Sequence, residues 1–224
     1  MSRNICVKTV LKTISVSILA VLFYTACDDN GVKVVTPEVT TFVDGRDGKT
    51  YKKVKIGGQI WMAENLNYEA DGSKCGESWD RTPEQNCEEF GRLYDWNTAM
   101  DYVPSSESAP SGVEGVCPVG WHIPSDAEWQ TLIDYVEPNA GTKLKSRTHT
   151  DTHAPGGTPA PTGTDKYRFS ALKGPYASQW WSSTESEKNS DAALVRIIYQ
   201  NNRSVLKGDM DKREYFLSVR CVHD

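Results

Sequence analysis

The stretch Cys117-Pro-Val-Gly-Trp-His-Ile-Pro-Ser-Asp-Ala-Glu-Trp129 places a cysteine, a tight turn and a helix start next to one another. Ser125 and Glu128 have the spacing of a capping box, in which a hydroxyl and a carboxylate satisfy the first free backbone N–H groups of a helix. The sequence therefore predicts that a helix begins at this point. The rest of the chain is expected to pack back against it.

The helix that follows this turn has one apolar face. Its apolar residues recur at spacings of three and four, namely Trp129, Leu132, Ile133 and Val136. This period is typical of a helix that buries a single stripe in a core. The run Glu137-Pro-Asn139 and Gly141 then end the helix. Glu-Pro-Asn also occurs in calcium-dependent lectins, but this copy follows a helix directly and is interpreted as a terminator.

The first 26 residues indicate an export signal. Arg3, Lys8 and Lys12 are their only charged residues, and a mostly apolar run extends from Ile14 to Ala26. That run is too short to cross a bilayer comfortably, and acidic residues follow it at once. Residues 1–26 are therefore predicted to be a signal peptide.

The end of this segment, Tyr24-Thr25-Ala26-Cys27, resembles the processing site of bacterial lipoproteins. The resemblance implies cleavage before Cys27 and acylation of its thiol and its new amino terminus. Residues 27–40 would then be the lipidated cysteine and an extended tether, and the protein would be anchored in the cell envelope, at the outer membrane or the cell surface. The alternative is an ordinary signal peptide in which Cys27 is coincidental.

The exported part of the chain is acidic. The signal segment contains three of the 25 Lys and Arg residues and none of the 30 Asp and Glu residues, which leaves 22 against 30, a net charge of −8. An acidic surface is a poor partner for nucleic acid. About 200 residues remain, enough for one domain with a sizeable core. We place that domain at residues 41–224.

Four cysteines remain after Cys6 and Cys27 are set aside. They are Cys75, Cys87, Cys117 and Cys221. An even number in an oxidising compartment indicates two disulfides, for which three connectivities are possible. We favour Cys75–Cys87, which closes a short loop, and Cys117–Cys221, which closes a long one. A zinc site is disfavoured because no Cys or His pair has ligand spacing.

The remaining patterns predict an α+β chain. Alternation on both sides of Gly57-Gly58 indicates a β-hairpin from Lys49 to Leu66, and Asp44 to Gly48 indicates a turn. Residues 67–90 are interpreted as a loop and Arg92–Met100 as a first helix. Short strands are then expected, at 143–145, 167–172, 179–184, 192–199, 204–206 and 214–222. The predicted order is a hairpin, two helices and an antiparallel strand meander.

With these elements in place, the chain resembles the Fibrobacter succinogenes major paralogous domain family, a set of exported bacterial proteins of unassigned activity. The matching stretches are Asp47–Tyr51, Val54–Gly57, Gln59–Asn67, Gly91–Tyr94, Ala99-Met100, Cys117–Ser125, Glu128-Trp129, Phe169–Leu172, Trp180–Glu185 and Ser218–Cys221. They follow one another across nearly all of residues 41–224. The loop from His149 to Thr164 departs from the family pattern.

The segment Gly120–Trp129 is also distantly similar to the turn and helix of the sulfatase-modifying factor group, which generates formylglycine. That group has a C-type-lectin-like fold, and a cysteine of the last strand paired to one before the second helix is also typical of lectins. The similarity implies a C-type-lectin-like fold for this chain.

The residues favour a non-catalytic binding or adhesion module whose ligand is a polysaccharide or an envelope protein. Exposed aromatic rings beside acidic groups can stack on sugars and bind their hydroxyls. The candidate ligand-binding residues are Trp79, Tyr176, Trp180, Trp181 and Glu185. Because neighbouring residues of a strand face opposite ways, at least one of Trp180 and Trp181 is expected in the core.

An enzyme is the alternative. A formylglycine-generating oxidase would need two metal-binding cysteines, whereas the cysteines of this chain are better explained as structural. The sequence contains no Gly-x-Ser-x-Gly or His-Glu-x-x-His motif and no phosphate-binding glycine loop. In the stretch His149-Thr-Asp-Thr-His153, potential metal ligands alternate in a polar loop. This spacing could serve copper or zinc, but the side chains are expected to face solvent. We therefore predict no catalytic residue, no metal and no cofactor.

Overall fold

A computed structural model describes residues 5–6, 25–26, 36–78, 80–147, 163–171 and 177–223. The chain divides into two compact units, Met1–Thr36 and Pro37–Asp224. In the first unit, strands β1 (Ile5–Cys6) and β2 (Thr25–Ala26) pair antiparallel. Across the described residues, every helix is too short or too polar to span a membrane.

The second unit begins with the predicted hairpin. Strands β3 (Val39–Val43), β4 (Thr50–Ile56) and β5 (Gln59–Met62) form an antiparallel sheet, whose fourth strand is β11 (Val222–His223) at the other end of the chain. Ile56 pairs with Gln59, so Gly57-Gly58 form the expected two-residue turn. Gly57 has a φ of +62°, a conformation that glycine adopts without steric cost.

The interpretation of residues 67–90 as a loop is wrong at its C-terminal end. Helix α1 covers Pro83–Phe90, and Thr82 and Gln85 form a complete capping box at its start. Pro83 occupies a first-turn position, where its missing N–H has no consequence. The only buried side chains of α1 are Asn86 and Cys87. The helix therefore lacks the apolar stripe that would have made it recognisable.

The first predicted helix, Arg92–Met100, is shorter than expected. Residues Leu93–Tyr94 form strand β6, and only Trp96–Ala99 form a helix, α2. Asp95 separates them because its carboxylate accepts from the Thr98 N–H at 2.9 Å, which caps α2. The apolar spacing arises from a strand followed by a single helical turn.

Helix α3 (Asp126–Val136) confirms the prediction from the capping box. The Glu128 N–H donates to the Ser125 hydroxyl at 3.2 Å, and the Ser125 N–H donates to the Glu128 carboxylate at 2.9 Å. The four apolar residues of its stripe are all buried, and the ring of Trp129 packs against those of Trp61 and Trp180. Burying one such side chain contributes about 1.5–3 kcal/mol.

The strand predicted at 143–145 is a helix. Residues Ala140–Leu144 form α4, and Lys145 makes only an isolated bridge to Ala171. The Nζ of Lys145 donates to the carbonyls of Gln200 and Asn202 at 2.6 and 2.8 Å. Burial lowers the pKa of this lysine to about 8. Lys145 therefore fixes the turn after β8 to α4.

The second sheet has the order β6-β10-β7-β8-β9. Its strands are β7 (Ala177–Ser186), β8 (Asn189–Tyr199), β9 (Leu206–Asp211) and β10 (Leu217–Ser218). Strands β7, β8 and β9 form the predicted antiparallel meander, but β10 pairs with β7 in parallel. The strand predicted at 214–222 divides, since β10 joins this sheet and β11 joins the other.

The fold is α+β, as predicted, with hydrophobic clusters on both faces of the second sheet. Trp181 and Val195 belong to one cluster, while Trp180 and Ile198 belong to the other, together with α3. No strand covers residues 167–171, in contrast to the prediction. Phe169 packs its ring against Trp180 instead.

Both favoured disulfides are present. Cys75 pairs with Cys87, and Cys117 pairs with Cys221. The first fixes α1 to the preceding loop. The second joins the stretch before α3 to the segment between β10 and β11, so the last strands belong to the same body as α3.

Candidate functional site

The two tryptophans proposed as a stacking surface are buried. Trp180 and Trp181 both have 0% exposure, because β7 is an inner strand of a sheet that is covered on both faces. The indole N–H of Trp181 donates to the Tyr94 carbonyl at 2.8 Å, and that of Trp180 donates to Asn65 Oδ1 at 2.9 Å. Neither ring offers a face to a sugar, which corrects the prediction for these two residues.

Of the other candidates, only Glu185 lies among the described residues. Glu185 lies near the end of β7, with its side chain 43% exposed and ion-paired to Lys212. It lines a groove beside the start of α3. Trp79 and Tyr176 lie outside the described residues, as do Cys27, His149 and His153.

A different pocket, of about 290 Å³, lies between β4 and the C-terminal end of α1. We call it the Arg220 pocket. Residues that line it include Thr50, Tyr51, Asn65, Asn67, Phe90 and Arg220. Five of the stretches that carry the family resemblance contribute to the lining, namely Asp47–Tyr51, Gln59–Asn67, Gly91–Tyr94, Phe169–Leu172 and Ser218–Cys221.

Arg220 is the most buried of the charged residues that line the pocket, with 2% exposure. Its Nε and Nη2 donate to Asn65 Oδ1 at 3.1 and 2.7 Å, and its Nη1 donates to the Phe169 carbonyl. The guanidinium carbon lies 4.3 Å from the ring centroid of Phe169 and 5.3 Å from that of Trp180. All of these partners are neutral.

The hydrogen bonds that Arg220 makes to described residues therefore include none to a carboxylate. Burial lowers the pKa of the guanidinium to about 9, against the opposing influence of the charges of Glu64 and Asp165. The group is therefore charged at neutral pH. A buried charge whose hydrogen bonds all go to neutral groups is incompletely compensated, and an anion bound beside it would stabilise it.

Asn67, which also lines the pocket, has an unsatisfied polar atom. Its Oδ1 is buried and has no hydrogen-bond partner among the described residues. Its main chain is held by the hydroxyl of Tyr51, which accepts from the Asn67 N–H at 3.0 Å, and by Lys49, which donates to its carbonyl. Burial raises the pKa of Tyr51 to about 12, so this phenol is neutral at physiological pH.

A glycine allows α1 to approach the pocket wall. Gly91 ends α1 with a φ of +80°, and a β-carbon at this position would lie 2.7 Å from the Leu66 carbonyl oxygen. The disulfide from Cys87 to Cys75 also fixes this helix, and Cys87 itself lines the pocket. The site is thus built by the hairpin, a disulfide-held helix and the segment before β11.

Sequence reasoning did not single out Arg220 or Asn67. Both residues lie in stretches quoted for the family resemblance. The sequence around Arg220, between Val219 and Cys221, does not indicate that its side chain is buried. Within the described residues, no group of three His, Cys, Asp or Glu side chains could hold a metal ion. The chemistry available is hydrogen bonding around one buried cation.

The fold and the site define a disulfide-bonded α+β domain with a polar pocket over a buried arginine. The chain belongs to the Fibrobacter succinogenes major domain family, whose profile matches residues 54–223. No curated protein and no solved structure matches it.

Proposed function

We propose that this protein is an exported, lipid-anchored binding module of the cell envelope, and that its ligand is a polysaccharide bound in the Arg220 pocket. The observation that carries the proposal is a buried guanidinium at the wall of a pocket, whose hydrogen bonds all go to neutral groups. The two disulfides support an oxidising compartment, as expected for an exported protein.

The C-type-lectin-like fold is part of the same proposal. It is supported by the bridge between Cys117 and Cys221 and by the turn that leads into α3. The alternative of a formylglycine-generating enzyme would need free thiolates. Cys75, Cys87, Cys117 and Cys221 are bonded in pairs, so none of the four supplies one.

On an array of purified polysaccharides, the protein is expected to bind at least one glycan through this pocket. Thr50 is exposed on β4 and lines the pocket, so Thr50→Trp should block it and weaken binding at least tenfold. Thr41, exposed on the neighbouring strand β3 and not part of the lining, provides the matched control. Thr41→Trp should bind as the wild type does.

Two results would count against this proposal. Failure of the wild type to bind any glycan would favour a protein partner. Equal binding by Thr50→Trp and Thr41→Trp would place the ligand elsewhere on the surface.

The lipid anchor has its own test. Cells that express the wild type and are fed radioactive palmitate should yield a labelled band, because acylation is expected at Cys27. The Cys27→Ala variant should give an unlabelled band of the unprocessed precursor. A wild-type band without label would contradict the anchor, whatever the result of the glycan array.

A further inference from the structure

The Arg220 guanidinium has more hydrogen-bonding capacity than its partners use. A guanidinium has five N–H groups. Three of them donate to Asn65 and Phe169, which leaves one N–H on each terminal nitrogen without an acceptor among the described residues. Paired N–H groups of arginine are suited to carboxylate oxygens. The geometry therefore favours an anionic ligand group at this end of the pocket.

The rest of the lining argues against a strongly charged anion. Besides Arg220, the charged residues of the lining are three glutamates, Glu64, Glu88 and Glu89, and one lysine, Lys49, which is ion-paired to Asp47. The carboxylates outnumber the ammonium group, so they would repel a phosphate, which has up to two negative charges. Carboxylates and amides are instead good acceptors for neutral hydroxyl groups. The Oδ1 of Asn67 is one such acceptor, because it is buried and has no hydrogen-bond partner among the described residues.

The size of the pocket limits the ligand further. About 290 Å³ is at the lower end of the range for small-molecule sites, and suits one sugar ring rather than a folded peptide. The half-buried ring of Phe90 adds an apolar surface against which the C–H face of a sugar can pack. One carboxylate, several hydroxyls and one ring are the features of a uronic acid.

We propose, as a refinement that rests on the binding function above, that the Arg220 pocket binds a uronic acid unit of an acidic polysaccharide. The carboxylate lies against Arg220, and the ring hydroxyls donate to Asn67 and to the glutamates of the rim. An acidic glycan is selected by one buried cation even though the protein as a whole is acidic.

The test uses the full-length protein and the methyl glycosides of glucuronate, galacturonate and mannuronate, each as the free acid and as the methyl ester. Esterification removes the charge without altering the protein. In NMR titrations, at least one acid should bind ten times more tightly than its ester. Thr50→Trp should abolish this binding and Thr41→Trp should preserve it.

Asn67→Ala examines the hydroxyl contact without touching Arg220. Since no described residue donates to Asn67 Oδ1, the fold should be kept, and affinity for acid and ester alike should fall about tenfold. Equal affinity for every acid and its ester, or no binding of any uronate, would overturn the uronate proposal. The binding function would stand in that case if the array still shows a glycan lost in Thr50→Trp.

Discussion

Replacing Cys117 and Cys221 together with alanine is expected to lower the free energy of unfolding by about 4.7 kcal/mol, the chain-entropy estimate for a loop of about 100 residues. The two cysteines are 104 residues apart and both are fully buried. Typical domains have a total stability of about 5–15 kcal/mol. Urea denaturation followed by tryptophan fluorescence should therefore show a large decrease in midpoint, with part of the population unfolded without denaturant.

The second disulfide provides the matched control. Cys75 and Cys87 are 12 residues apart, and Cys75 is only partly buried. Their replacement with alanine should cost about 3 kcal/mol on the same estimate. A larger loss from this pair than from Cys117 and Cys221 would contradict the view that the long bridge holds the two ends of the domain together.

The long bridge also bears on the ligand site, because Arg220 directly precedes Cys221. The Leu66 N–H donates to the Val219 carbonyl at 2.9 Å, and the Met62 N–H donates to the Cys221 carbonyl at 3.0 Å. Asn65, the main partner of Arg220, lies on the same connected segment. Removing the Cys117–Cys221 disulfide is therefore expected to lower the stability of the domain and to disturb the geometry of the pocket as well.

The features predicted correctly from sequence are those with a local cause. The start of α3 follows from two residues that cap it, and the β4–β5 turn follows from two glycines. The capping box at Thr82 and Gln85 was an equally local signal for α1. No apolar stripe supports that signal, because the helix that follows it is polar and buries only two residues.

The features predicted wrongly depend on distant parts of the chain. Alternation along β7 predicts that at least one of Trp180 and Trp181 lies in the core, but the second sheet has a hydrophobic cluster on each face, so both are buried and neither is available to a ligand. Likewise, nothing in residues 214–222 shows that the strand divides between two sheets. The burial of Arg220 follows from that division, so the candidate pocket could be found only from the fold.

Replacing Glu128 with alanine is expected to destabilise the protein by about 3–5 kcal/mol, the cost of leaving buried polar partners unpaired. Its carboxylate is buried and accepts from the N–H groups of Ser125 and Ser111 at 2.9 and 3.1 Å. Its other oxygen lies 2.7 Å from His122 Nε2. Removing it would leave three buried groups without their partner.

Comparison with the capping box of α1 separates the stability that Glu128 contributes through its buried contacts from the stability that it contributes by capping the helix. Gln85 has the same position in its capping box as Glu128 but is exposed, so water can replace its side chain, and Gln85→Ala should cost only about 0.5–1 kcal/mol. Both variants can be compared in one series of urea titrations. Similar losses would mean that each box acts only by capping its own helix. A loss several times larger for Glu128→Ala would mean that this carboxylate also holds the segment at Ser111 and the turn at His122 against α3.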